Sequence, residues 1–211
     1  MKTFPLTAAV FEGSLIIFAG VLGWFLKTPP LETFSFSLAA LAFGAVSTLP
    51  PLGLLWLCLK IRWEPFLEIS RIIDELIIPL FRNCSWWELA IIALLAGAGE
   101  EMLFRGVIQA AVAQEIGGLH GTWLGLLISS MLFGLLHPLT PVYALLAGLI
   151  GFYLGGLWLF GGNLLIPITG HALYDFLALT YFLHRRARRE AVCNTSAEIK
   201  VREVSSAAEK E

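Results

Sequence analysis

Charged residues are scarce in this sequence. Of 211 residues only 14% carry charge, against about 25% in a typical soluble domain. A chain this short has too little interior to bury its 57% hydrophobic residues, which excludes a water-soluble globular class. Net charge is −2, so no basic excess favours a nucleic-acid partner. Three cysteines, Cys58, Cys84 and Cys193, are scattered and match neither a disulfide framework nor a metal-ligand spacing. Cys193 does not lie four residues from the end, so the chain is not expected to be C-terminally prenylated. No His-Glu-x-x-His pair is present. No internal symmetry of the kind that builds small transporters is visible, which weighs against an ion or proton carrier. The first apolar stretch lacks a clear small-residue cleavage site before Lys27 and is expected to be retained.

Long apolar runs are abundant. Several exceed the roughly 20 residues that cross a hydrocarbon core of about 30 Å. Six segments are predicted: Thr7–Leu26, Phe36–Leu59 with a kink at Pro50-Pro51, Trp86–Ala113, Leu119–His137, Tyr143–Phe160 and Leu164–Leu183. The expected fold class is therefore all-α: a polytopic transmembrane helix bundle of about six spans plus one interfacial amphipathic helix. Residues 1–184 form the integral membrane domain. The short connections between the later spans predict antiparallel neighbours. The tail 185–211 is basic, polar and expected to be disordered.

Between the second and third spans, Phe66, Ile69, Ile72, Ile73, Leu76 and Ile77 recur at helical spacing, with Glu68, Arg71, Asp74 and Glu75 between them. This pattern over Trp63–Arg82 predicts an amphipathic helix, lying in the interface plane or packed against the bundle as a connector. Seven of the 14 Lys and Arg lie in the last 27 residues. Arg185, Arg186, Arg188 and Arg189 share a side with Lys2 and with Lys60, Arg62, Arg71 and Arg82 if the chain crosses six times, which places both termini in the cytoplasm. Trp86, Trp87, Trp123 and Trp158 suit an interfacial belt.

Ionisable groups inside such spans cost a few kcal/mol each on insertion scales and need a reason. The third span carries Glu100-Glu101, preceded by Ala96-Gly97-Ala98-Gly99 and followed by Arg105. Glu101 and Arg105 are four apart, share a helical face and can pair. Glu100 is offset by about 100° and left free of that pair. In a low-dielectric site the unpaired carboxylate is a candidate general base, while a purely structural ion-pair cluster is the alternative. His137 ends the fourth span. His171 lies inside the sixth, four residues before Asp175 and on its face. Two histidines with a Glu-Glu pair and a further carboxylate form a set that activates water. His120 and His184 lie at span edges and carry little claim to function.

These clusters also carry a resemblance. Glu100-Glu101-Met102-Leu103-Phe104-Arg105 resembles the EExxxR motif of the CAAX-protease and bacteriocin-processing family, the type II CAAX prenyl endopeptidase group of intramembrane proteases. Phe133-Gly134-Leu135-Leu136-His137 is similar to its FxxxH, and His171-Ala172-Leu173-Tyr174-Asp175 to its HxxxN/D. The resemblance covers about residues 86–183, the protease core it implies; the first two spans contribute only general hydrophobicity.

The resemblance implies an intramembrane endopeptidase that hydrolyses a peptide bond of a peptide or protein substrate at the membrane. Glu100 would be the general base, with His137 helping to hold the attacking water and Phe133 supporting it. His171 and position 175 would stabilise the oxyanion, and Glu101 with Arg105 would be a structural ion pair. Asp175 stands where many relatives have Asn, and an ionised Asp cannot donate to an oxyanion. Asp175 is therefore expected to orient His171 and favour its imidazolium, so that Asp175→Asn preserves or raises activity. The family has been described as metallopeptidases. Zinc held by Glu100, His137 and His171 is possible, and a metal-free water is the preferred alternative. A non-catalytic membrane scaffold or immunity-type protein of the same family is the competing function.

Overall fold

The computed structural model of the chain describes residues 4–208, without the side chains at 193, 194 and 196–208. Lys2, the Cys193 thiol and the last three residues of the tail lie outside the described residues. Every regular element among the described residues is helical: α1 Phe4–Leu26, α2 Leu38–Val46, α3 Leu49–Lys60, α4 Glu64–Ile72, α5 Ile78–Phe81, α6 Trp86–Glu101, α7 Ala110–Ile116, α8 Gly118–Leu135, α9 Pro141–Gly161 and α10 Leu165–Ala208. Two π-helical stretches, Ile73–Ile77 and Met102–Gln109, join α4 to α5 and α6 to α7.

Among the described residues, four helical segments are long and apolar enough to cross a membrane: 4–26, 38–60, 118–135 and 141–161. The expected count of about six spans is not reached on that measure. The two remaining apolar segments carry Glu100, Glu101, Arg105, His171 and Asp175, and one of them is broken by a π stretch. Apolar side chains cover the outward faces of α1 and α8, among them Phe11, Ile17, Trp24, Met131 and Leu135.

The kink expected at Pro50-Pro51 falls three residues earlier, at Ser47 and Thr48. A proline clashes with the carbonyl four residues back and donates nothing to it, so the break precedes the proline. The orphaned Ser47 carbonyl is satisfied from outside: the Tyr153 hydroxyl donates to it at 2.9 Å. The Gly44 carbonyl accepts from the Ser47 and Thr48 hydroxyls at 2.7 and 3.3 Å. The first π stretch likewise precedes a proline, Pro79.

Helix α6 is the central element, packed between α1 and α10. Its glycines permit this. A Cβ on Gly97 would lie 2.9 Å from the Ala172 nitrogen and 3.0 Å from the Ile168 carbonyl on α10. A Cβ on Gly99 would lie 2.8 Å from the Glu12 carbonyl on α1. Backbone meets backbone on both sides of the Glu-Glu step.

The segment 64–81 packs against the bundle with one face and shows Leu67 and Leu76 outward. It is tied to α10 through Asp74, whose carboxylate accepts from Arg189 at 2.8 Å and whose carbonyl accepts from Arg186 at 2.6 Å. Helix α10 continues past the apolar run to Ala208, where the tail was expected to be disordered; an i,i+4 pair of Arg186 with Glu190 at 2.9 Å supports its first polar turns. Of the belt tryptophans, Trp86 and Trp87 stack outside the bundle and Trp123 is exposed. Trp158 instead turns inward and donates to the Thr33 hydroxyl at 2.8 Å.

Candidate active site

A capping box starts α6: the Ser85 hydroxyl accepts from the Glu88 N–H, and the Glu88 carboxylate accepts from the Ser85 N–H at 2.7 Å. From that fixed start the helix delivers Glu100 and Glu101 to the middle of the bundle.

Glu101 is fully buried, and one of its two oxygens makes its bonds while Oε2 has no partner among the described residues. Its Oε1 accepts from Arg105 Nη1 at 2.8 Å and is hydrogen-bonded to His171 Nδ1 at 2.8 Å. Arg105, also fully buried, donates from Nη2 to the Gly151 carbonyl at 2.7 Å and lies 4.8 Å from the Phe133 ring centroid. Gln109 repeats the pattern one turn on, donating to the Gly155 carbonyl at 3.4 Å. The stretch carrying Arg105 and Gln109 is π-helical rather than the α-helix that the four-residue spacing predicts. A wider π turn following an α-turn brings positions 101, 105 and 109 closer to one line along the helix. All three buried polar side chains then face partners on α9 and α10. Local sequence gives no reason for the widening; the buried polar partners on the neighbouring helices do.

Glu100, one residue before Glu101, meets the other nitrogen of the same His171 ring. Its Oε2 is 3.9 Å from His171 Nε2 and 4.0 Å from His137 Nε2, too long for direct hydrogen bonds, and has no hydrogen-bond partner among the described residues. His171 Nε2 lies 3.5 Å from Asp175 Oδ2. The short bond to His171 therefore comes from Glu101 at Nδ1, with Asp175, expected to orient the ring, beside Nε2. The partners of this contact are 70 residues apart, beyond the reach of any local spacing pattern.

His137 does not sit within α8, which ends at Leu135, but in the turn before α9. Its Nδ1 is 2.7 Å from the Phe133 carbonyl, one of the unpaired carbonyls of the last helical turn. This turn carries the imidazole from a helix end to the glutamate. Phe133 is the shared floor: its ring stacks on His137 at 4.6 Å and meets His171 edge-on at 5.9 Å.

A cavity of about 260 Å³ adjoins the cluster. His137, Tyr143, His171, Tyr174 and Asp175 line one end. The rest is apolar, from Leu54 and Leu55 on α3, Phe66, Ile69 and Ile73 on the 64–81 segment, and Leu146 and Ile150 on α9. His120 and His184 are exposed, away from the cluster.

Further polar groups belong to the site without having been singled out from sequence. Glu12 on α1 interacts electrostatically with Asp175, His171 and Glu100, and its Oε2 is buried without a partner. The first span thus contributes more than hydrophobicity. The sequence held a signal, since Glu12 is the single charge between Phe4 and Leu26. Tyr143, Tyr174 and Gln109 carried no such signal.

Among the described residues no group of three or more His, Cys, Asp or Glu side chains is arranged to hold a metal ion. The Nδ1 atoms of both histidines are turned away to Phe133 and Glu101, and their Nε2 atoms approach Glu100 from separate elements. The zinc set considered from sequence is not assembled as a metal site among the described residues, and no step below runs through a metal.

Comparison with known proteins places these residues in a class. Residues 82–177 match the family model described as type II CAAX prenyl endopeptidase, Rce1-like. That segment contains Glu100, Glu101, Arg105, His137, His171 and Asp175, and the likeness read from the three motifs is therefore a likeness to that family. Among curated proteins, the chain is 30% identical over 114 residues to the uncharacterized protein YpbD of Bacillus subtilis (strain 168). The aligned part is 53% of this chain and 54% of that protein, so the chain spans about half the length of the relative it matches. No solved structure matches significantly. With four helices among the described residues long and apolar enough to cross a bilayer, the chain is an integral membrane protein whose residues 82–177 are similar to the CAAX-protease family.

Proposed function

We propose that this chain is an intramembrane endopeptidase in which Glu100 activates a water for attack on a peptide bond of a membrane-proximal substrate. One observation carries the reading. The Glu100 carboxylate faces the Nε2 atoms of His137 and His171 at 4.0 and 3.9 Å. Polar groups separated by more than about 3.5 Å are commonly bridged by a water, and a water wedged there would touch all three.

From this arrangement the steps follow. Glu100 takes a proton from the water as its oxygen attacks the carbonyl carbon, with His137 holding the water. The carbonyl electrons move to oxygen, and the oxyanion is met by a donor from His171. In the imidazolium form Nδ1 donates to Glu101 and Nε2 donates into the site, with Asp175 beside it. When the tetrahedral carbon collapses, the C–N bond breaks and the leaving nitrogen receives the proton from Glu100. Glu101 and Arg105 act as a support, keeping His171 oriented and α6 fixed against α9.

The apolar walls of the cavity suit an apolar segment of a peptide or protein substrate within or beside the bilayer. On this reading the segments around Glu100 and His171 also cross the membrane, giving six crossings with both termini cytoplasmic.

The test is cleavage of a membrane-anchored peptide library by the purified full chain and by Glu100→Gln, each with and without a strong chelator. Cleavage by the wild type alone, insensitive to the chelator, supports the reading. Chelator-sensitive cleavage overturns the metal-free step. A wild type that cleaves nothing favours the scaffold or immunity-type function instead.

A further inference from the structure

Asp175 raises a difficulty that the site itself answers. A tetrahedral oxyanion needs donors, and an ionised carboxylate at position 175 only accepts. His171 alone would then face the developing charge, although two donors commonly share that task.

A free donor stands at the same end of the cavity. Tyr143 lines it together with His137, His171 and Asp175. Its ring centroid is 6.5 Å from that of His137, and it interacts electrostatically with both Asp175 and Glu100. Its hydroxyl makes no hydrogen bond among the described residues, as is also true of Glu100 Oε2 and Glu12 Oε2.

The backbone that carries Tyr143 is held firmly. Tyr143 is the third residue of α9, and its N–H donates to the hydroxyl of the N-cap Thr140 at 3.1 Å. Thr140 is itself buried, and Pro141 opens the helix. The phenol therefore projects from a rigid helix start, three residues after the turn that positions His137. Tyr174 lines the same cavity from α10, one residue before Asp175.

We propose that Tyr143 is a further catalytic residue, its phenolic O–H donating to the substrate oxyanion the hydrogen bond that Asp175 cannot supply. The proposal rests on the hydrolase reading above and adds a donor to it. Charge balance is simple. The proton taken from water stays on Glu100 until the leaving nitrogen receives it, and Tyr143 shares its own proton without releasing it. Asp175 is then free to keep His171 as an imidazolium while Tyr143 completes the oxyanion hole.

The experiment uses the full chain in proteoliposomes and a peptide selected from the library. Tyr143→Phe keeps the ring and removes the hydroxyl. It is expected to lower kcat by about 100-fold, the usual effect of losing one oxyanion donor, with little change in KM. Adding D175N to Y143F supplies an amide donor at the neighbouring position and is expected to recover at least tenfold of the loss, which no purely structural role for Tyr143 would allow. A phosphonamidate analogue of the same peptide should bind Y143F more weakly than wild type by a similar factor, while the parent peptide binds both alike. Equal kcat in Y143F and wild type overturns this proposal alone. So does a loss confined to KM, or a loss explained by a lowered melting temperature. A wild type that cleaves nothing overturns the hydrolase reading and this proposal together.

Discussion

Glu101 and Glu100 are adjacent in the chain, yet they meet opposite surroundings. Glu101 is fully enclosed, with one oxygen at 2.8 Å from both Arg105 and His171. Glu100 is partly open, and its nearest imidazole nitrogens are 3.9 and 4.0 Å away. The first set of distances belongs to direct hydrogen bonds between buried partners. The second leaves space for a small third party among three polar atoms. A single residue step along one helix thus separates a brace from a candidate reaction centre. The brace also holds the centre, because His171 belongs to both.

The comparison breaks most severely at Glu100. Replacing it with Gln keeps the shape and removes the base, so cleavage should fall by about 10²–10⁴-fold, the range for a lost general base, while the melting temperature holds. Rates measured alongside thermal unfolding in detergent check both halves.

Replacing Arg105 with Ala acts on the other side. It strands a buried carboxylate and frees the Gly151 carbonyl, so stability should drop by about 3–5 kcal/mol. An unchanged melting curve would refute the brace. Gly97→Ala tests the packing that joins the two sides, since the added methyl meets the α10 backbone. A loss of about 1–3 kcal/mol is expected, together with slower cleavage as His171 is pushed from Glu101. Asp74→Asn lies far from the comparison and touches only the tie between the 64–81 segment and α10. Its expected cost is under about 1 kcal/mol, because Arg189 is largely exposed.

Much of this architecture was legible because ionisable groups in apolar runs have few reasons to be there. Glu100, Glu101, Arg105, His137, His171 and Asp175 stand out for that reason, and the structure brings all six together. The break before Pro50-Pro51 is legible too, apart from its displacement to Ser47 and Thr48. Other features depend on contacts that no local pattern encodes. The π turn at 102–109 follows from carbonyls on α9. The orientation of His171 comes from a glutamate 70 residues away. The position of His137 depends on a turn that carries the ring past the end of its helix. Tyr143 looks in sequence like any aromatic at the start of a span, and only its place beside the cavity gives it a chemical role.

The most direct measurement sets Glu100→Gln beside Glu101→Gln in one preparation, recording peptide cleavage and thermal unfolding for each. If the two carboxylates divide their work as the distances indicate, the first variant melts like wild type and does not cleave, and the second melts at a markedly lower temperature. A Glu100→Gln protein that still cleaves at the wild-type rate, or a Glu101→Gln protein as stable as wild type, would contradict that division.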